Sequence, residues 1–382
     1  MSRFFDLVSK PARDMGSYLP TLPQRPAVVE TEPQIISLDS NENPFGPSPR
    51  AIEAMQAAVK TASAYPEDDC TQLRRRLAAY HDFPVDQVLV TAGSTGLLAL
   101  VCQTLLAPGL NAVTSERSFI VYGMAVHATG AQLIETPMRE DAFDLDAILS
   151  VINEDTRIVF LANPNNPTGT IVEPAAVEQF LAEVPGHVVA VLDEAYYEFA
   201  DHFAERRRAE YSRSLSHLRQ GACVVVLRTF SKVHGLAGLR VGYGLGPAEL
   251  LAYCARMRST YSVSSLAQAA ALAAMDDAKH IARTVSNNAE QAQMLGVRLS
   301  EMGLRVVPTW ANFLYCDLGR DAGGVAEQLR EQGVSVRPLG TWGAPNCMRV
   351  SIGTAEQNRV FLDALERITS NGHPPVSAPV GR

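Results

Sequence analysis

Lys232 sits where a lysine could do covalent chemistry. The apolar run CVVVLRT ends at Thr229 and passes into FSKVHGLAGLR, which places Lys232 beside Ser231, two glycines and Arg240. Lysine is seldom buried without a partner or a task. An amine taken out of water loses its proton more easily and becomes a nucleophile that forms imines with carbonyls. Arg240 offers a rigid guanidinium fork suited to phosphate. Three other apolar runs also end in polar motifs. HVVAVLD stops at Asp193 and opens DEAYYEF; IVFLA stops at Ala162 and opens NPNNPTG; VLVT stops at Thr91 and opens AGSTG. Each has a plain alternative. A glycine-rich turn before a helix can be structural or can bind an anion through free N–H groups. NPNNPTG also reads as turn chemistry, and Lys232 taken alone reads as a surface lysine. An acid at the end of a buried strand needs a partner.

Such residues converge only if the strands lie side by side. Apolar runs at Gln87–Thr91, Leu110–Ser115, Ala131–Thr136, Thr156–Ala162, His187–Asp193, Cys223–Thr229 and Leu239–Gly244 alternate with helical stretches. Several are continuous rather than alternating, as in strands buried on both faces. An α/β domain with a mainly parallel central sheet follows, and ligands bind beyond the carboxyl ends of such strands. The division expected is an arm with a small-domain segment over 1–48, a large domain over 49–260, a connecting helix with a small α+β domain over 261–370, and a disordered tail over 371–382. SPRAIEAMQAAVK reads as a helix with proline at its start, and 247–300 as one long helix. Strands are expected at Phe313–Asp317, Val334–Pro338 and Met348–Gly353.

Composition narrows the function. The 382 residues are 47% hydrophobic and 19% charged, with a net charge of −8, so large cores are available and nucleic-acid binding is not indicated. Six cysteines show no CxxC pair, and eight dispersed histidines form no ligand spacing, so no metal is expected. No run approaches the ~20 apolar residues of a membrane span. Charge and proline interrupt the N-terminal apolar run, unlike a signal peptide. The expectation is a soluble cytoplasmic protein with reduced thiols.

Taken in order, SNENPFGPSP, AYPEDD, TAGSTG, NPNNPTG, DEAYYEF, RTFSKVHGLAGLRVGY and VRPLGTWGAPNCMRVSIGT span residues 40–354. The set resembles the fold-type I pyridoxal-phosphate aminotransferases of classes I and II, and most of all their histidinol-phosphate aminotransferase branch. The resemblance implies that Lys232 holds the cofactor as a Schiff base and moves the substrate proton. It implies that Asp193 faces the pyridine nitrogen, that Asn166 and Tyr196 bond the ring oxygen, and that Phe119 covers the ring. Phosphate would fall to Ser94, Thr95, Gly96, Thr229, Ser231 and Arg240, with Tyr65 reaching the phosphate of a neighbouring subunit in a homodimer. Arg349, Arg337, Tyr18 and Asn43 would meet substrate. Gly96 stands where the family usually has an acid, Arg117-Ser118 replaces Pro-Thr before Phe119, and Phe45 replaces tyrosine.

The activity so implied is transamination between an amino donor, histidinol phosphate or an aromatic amino acid, and a 2-oxo acid such as 2-oxoglutarate. A decarboxylase, elimination or cyclisation enzyme on the same scaffold is the alternative. A binding module without catalysis is disfavoured, because Lys232, Asp193 and Arg349 are all present.

Overall fold

The computed structural model describes residues 7–15 and 35–370. The arm residues 16–34, with Tyr18, and the tail 371–382 lie outside the described residues. The central sheet has seven strands in the spatial order Val88–Thr91, Gly242–Leu245, Val224–Thr229, Val189–Asp193, Thr156–Ala162, Asn111–Ser115, Gln132–Thr136. Gly242–Leu245 runs antiparallel to both its neighbours, and every other adjacent pair is parallel. The all-buried patterns of Val189–Asp193 and Val224–Thr229 explain their unbroken apolar sequence. Thr91, Ser115, Ala162, Asp193 and Thr229 therefore end on one edge. Gly242 pairs with both Thr91 and Thr229, so the loop before it returns Arg240 to that same edge.

Two large apolar cores lie on the chain. The first runs from Ala51 to Ala274 and surrounds the central sheet. The second joins Leu38 to residues between Ala289 and Ile368. It carries a four-stranded antiparallel sheet ordered Arg305–Val307, Phe313–Asp317, Ala344–Ser351, Arg337–Leu339. The helix Ser265–Met275 packs into the first core, so that core extends beyond residue 260.

The strands expected at Leu239–Gly244 and Met348–Gly353 are observed at Gly242–Leu245 and Ala344–Ser351, and two further elements differ more deeply from the sequence reading. Residues 247–300 form three helices, Ala248–Arg256, Ser265–Met275 and Ala278–Glu301, rather than one. Tyr261 adopts a φ of 56°, and Arg258 turns aside to Asp68 at 3.0 Å and Asp69 at 3.2 Å. Ser264 and Asp277 cap the second and third helices by accepting from the amides of Ala267 and His280. The run 334–338 is also split. Val334–Ser335 pairs in parallel with Ile36–Ser37 from the arm, whereas Arg337–Leu339 joins the small-domain sheet.

The loop bearing Lys232 is packed tightly against the NENPFG segment. Gly235 has a φ of 69°, and a Cβ there would lie 2.1 Å from the Gly46 carbonyl oxygen. Gly235→Ala is expected to cost about 2 kcal/mol or more, since left-handed strain and a backbone clash add. A urea midpoint unchanged from wild type would show that the loop yields at no cost.

Candidate active site

At the carboxyl edge of the central sheet lies a cavity of about 320 Å³. Its wall includes Ser94, Phe119, Asn166, Asp193, Tyr196, Thr229, Ser231, Lys232, Arg240, Arg337 and Arg349. The helix Ser94–Leu105 begins here, pointing free N–H groups and its positive dipole end at the cavity. Gly93 before it has a φ of 75°, and a Cβ there would lie 2.5 Å from Arg240 Nη2. Only glycine lets the guanidinium lie across the helix start. Arg240 donates to Thr95 Oγ1 at 3.1 Å and to Ser231 Oγ at 3.4 Å, and Ser231 Oγ also accepts from Thr229 Oγ1 at 3.0 Å. Among the described residues no carboxylate lies within 4 Å of Arg240. A guanidinium, hydroxyls and a helix N-terminus without an acid form a cradle for a phosphate.

Lys232 is half-buried in the cavity wall, and its Nζ donates to the carbonyl oxygens of Ser40 at 3.3 Å and Asn41 at 3.2 Å. Burial, followed by the nearby Arg349 charge, lowers its pKa to about 7. Asp193 accepts from Tyr122 Oη at 3.0 Å and from the Ala195 amide at 3.1 Å. Burial outweighs these bonds and raises its carboxyl to about 6. A buried acid in this state would be stabilised as a carboxylate by a cation. Tyr196 accepts from Asn41 Nδ2 at 2.9 Å, and burial raises its phenol.

The small domain contributes the arginines. Arg337 and Arg349 are register partners on adjacent antiparallel strands, so they stand side by side on one face. Arg349 is buried. It donates to Asn166 Oδ1 at 2.5 Å and to the Asp39 carbonyl at 2.6 Å, while its Nε has no partner. Burial lowers its pKa to about 10. No carboxylate lies within 4 Å of Arg349 among the described residues, so its charge at the cavity wall is matched only by neutral acceptors.

Pyridoxal phosphate fits these residues: a phosphate cradle at one end, a carboxylate lacking a cation, an aromatic wall at Phe119, and a desolvated amine. Some expected residues stand elsewhere. Gly96 lies in the first helical turn against Thr91 and Thr95 touches the site through Arg240, neither bordering the cavity. Tyr65, expected to serve a neighbouring subunit rather than its own site, is 81% exposed and stacks on Tyr261 at 4.6 Å. Asn43 braces the lysine loop by donating to the Val233 carbonyl at 2.7 Å, and does not border the cavity. Sequence reasoning missed Asn41, two residues before Asn43. It also missed Tyr122, three residues after Phe119 in the first turn of the helix Val121–Ala128; the Tyr122 ring meets that of Phe119 edge-on at 5.6 Å.

The chain is similar to known proteins over most of its length. The family model "Aminotransferase class I and II" matches residues 33–365. "Histidinol-phosphate aminotransferase 2" of Pseudomonas aeruginosa is 41% identical over 97% of this chain and 100% of its own. "Histidinol-phosphate aminotransferase" of Moorella thermoacetica is 41% identical over 87% of this chain and 85% of its own. The histidinol-phosphate aminotransferase of Sinorhizobium meliloti, solved in complex with pyridoxal-5'-phosphate, superposes with a TM-score of 0.85 at 26% identity, covering 97% and 98% of the two chains.

Two outcomes follow from this geometry. Trapping of the Lys232 amine in the apoprotein, by a small aldehyde and borohydride, should be half-maximal near pH 7, because the amine is neutral above its lowered pKa. A midpoint near that of ordinary lysine, about 10.4, would mean that water reaches it. Tyr122→Phe removes a hydrogen bond from Asp193 and should weaken cofactor binding roughly tenfold. Unchanged affinity in a titration of apoprotein with pyridoxal phosphate would remove Tyr122 from that role.

Proposed function

Because the chain belongs to the class I and II aminotransferases, we propose that it transfers the amino group of histidinol phosphate to a 2-oxo acid such as 2-oxoglutarate, with pyridoxal phosphate as cofactor. The observation that carries the donor assignment is the register pair Arg337 and Arg349, with the Arg349 Nε left unpartnered. Two adjacent guanidinium groups suit a dianionic phosphate better than a single carboxylate does. The relatives named for this reaction support the same reading. They do not favour the decarboxylase or elimination alternative.

Bound pyridoxal phosphate supplies a carbonyl carbon for amines and a cationic ring that withdraws electrons from the substrate α-carbon. The roles of the chain's residues follow from their places. Ser94, Ser231, Thr229 and Arg240 would hold the phosphate, with the Thr95 hydroxyl steadying Arg240. Asp193, kept ionised by the ring's positive charge, would hold the proton on the ring nitrogen. Asn166 and Tyr196 would donate to the ring oxygen, and Phe119 would exclude water from one face. Lys232, once its amine is free, would take the proton from the α-carbon, a task that a pKa near neutrality suits. Arg349 would hold the α-carboxylate when the donor or product is an amino acid. Arg337 and Arg349 together would hold the phosphate of histidinol phosphate.

We propose a cytoplasmic homodimer. The exposed Tyr65–Tyr261 stack supports the dimer, as an aromatic patch open for a second subunit. The cysteines, none of them disulfide-bonded, suit a reducing compartment.

Histidinol phosphate should discharge the visible band of the bound cofactor, and 2-oxoglutarate should restore it. Arg337→Leu should raise the KM for histidinol phosphate about tenfold or more while changing that for glutamate much less. A wild-type band that ignores histidinol phosphate but responds to another amine would end the donor assignment and leave the family standing.

A further inference from the structure

We propose that Trp342 determines specificity by forming the wall against which the donor's planar ring packs. The inference rests on the aminotransferase reading above and deepens it. Trp342 ends the short turn Gly340–Trp342, which joins the strand of Arg337 to the strand of Arg349. Its position is therefore tied to that of both anion-binding groups. Behind it, Val307, Tyr315, Leu339, Ala344 and Cys347 form a buried cluster on which the indole rests. In front, Trp342 borders the cavity together with Phe119, Ile120 and Val121.

The indole N–H donates to the Ser118 carbonyl oxygen at 2.8 Å. That bond satisfies the only polar atom of the side chain and fixes the ring plane. What remains toward the cavity is carbon surface, which favours a flat, apolar or weakly polar partner. Ser118 Oγ in turn donates to Asn165 Oδ1 at 2.9 Å, and the adjacent Asn166 accepts from Arg349. The wall is thus linked to both lips of the cavity. A donor with phosphate on the arginine pair and its amine at Lys232 has one large group left to place. An imidazole ring on the Trp342 face would fill that space, whereas glutamate carries no ring to lose there.

The test is a comparison of half-reactions in the holoenzyme. For Trp342→Ala, kcat/KM for histidinol phosphate should fall about tenfold or more, and that for glutamate should stay within about threefold. Trp342→Phe keeps a ring but loses the N–H, and should stay within about threefold for both donors. Equal losses for both donors in Trp342→Ala, or no loss for either, would overturn the proposal. If the alanine variant does not fold, Trp342→Leu set against Trp342→Phe decides in the same way. If the wild-type protein ignores histidinol phosphate, the donor assignment has failed separately. Phenylalanine then replaces it in the same ratio, and a ring-selective loss still upholds Trp342.

Discussion

Lys232 is largely withdrawn from water in the cavity wall, and among the described residues its amine donates to two backbone carbonyls, those of Ser40 and Asn41. Keeping an ammonium group in such a place is costly, and the cost falls if the amine is neutral. Much of the surrounding structure maintains this condition. The strand Val224–Thr229 delivers the lysine loop to the sheet edge, Gly235 presses that loop onto Gly46, and Asn43 holds the Val233 carbonyl from the other side. Arg349 adds a positive charge that favours the neutral amine further. The nucleophile is therefore a product of packing more than of any single neighbour.

The same packing joins the two cores at the site. Asn41 belongs to the segment between the arm and the first long helix. Its amide bonds Tyr196 on the large-domain side, while its main-chain N–H and its Oδ1 meet Ser351 Oγ on the small-domain side. Asn312 Nδ2 donates to its carbonyl oxygen as well. Both cores must fold for Asn41 to be satisfied, and Asn41 supplies one of the two carbonyls facing Lys232. A residue in a short connecting segment thus couples domain packing to the state of the amine.

Much of this was legible in the sequence because strand ends announce themselves. Thr156–Ala162 and Phe313–Asp317 match the apolar runs residue for residue, since a strand buried on both faces has nothing else to show. The motifs at Asp193, Asn166 and Lys232 follow directly from those ends. The helix over 247–300 was less legible. Its alanines continue the helical pattern through two breaks, while the capping residues Ser264 and Asp277, which mark new starts, are each only one residue deep. The split at 334–338 depends on a partner strand some three hundred residues away, which periodicity cannot register. Asn41 and Trp342 escaped for a related reason: their importance lies in what they touch across domains.

Charge completes the argument. The whole chain carries a net charge of −8, yet the cavity presents Lys232, Arg240, Arg337 and Arg349 against Glu42 and Asp193. Where the Lys232 amine is neutral, the positive charge of the cavity is held by arginines, which stay charged, and Asp39 beside Arg337 offsets part of it. The arginines stand in two places, Arg240 at the helix start and the Arg337–Arg349 pair on the small domain. A local positive field in an acidic protein draws anions inward from solution. Two separate arginine positions call for two separate anions, one on each side of the amine. A cofactor phosphate at Arg240 uses only the first. The second is left for the substrate, and its doubled guanidinium groups are better matched by a phosphate than by a lone carboxylate.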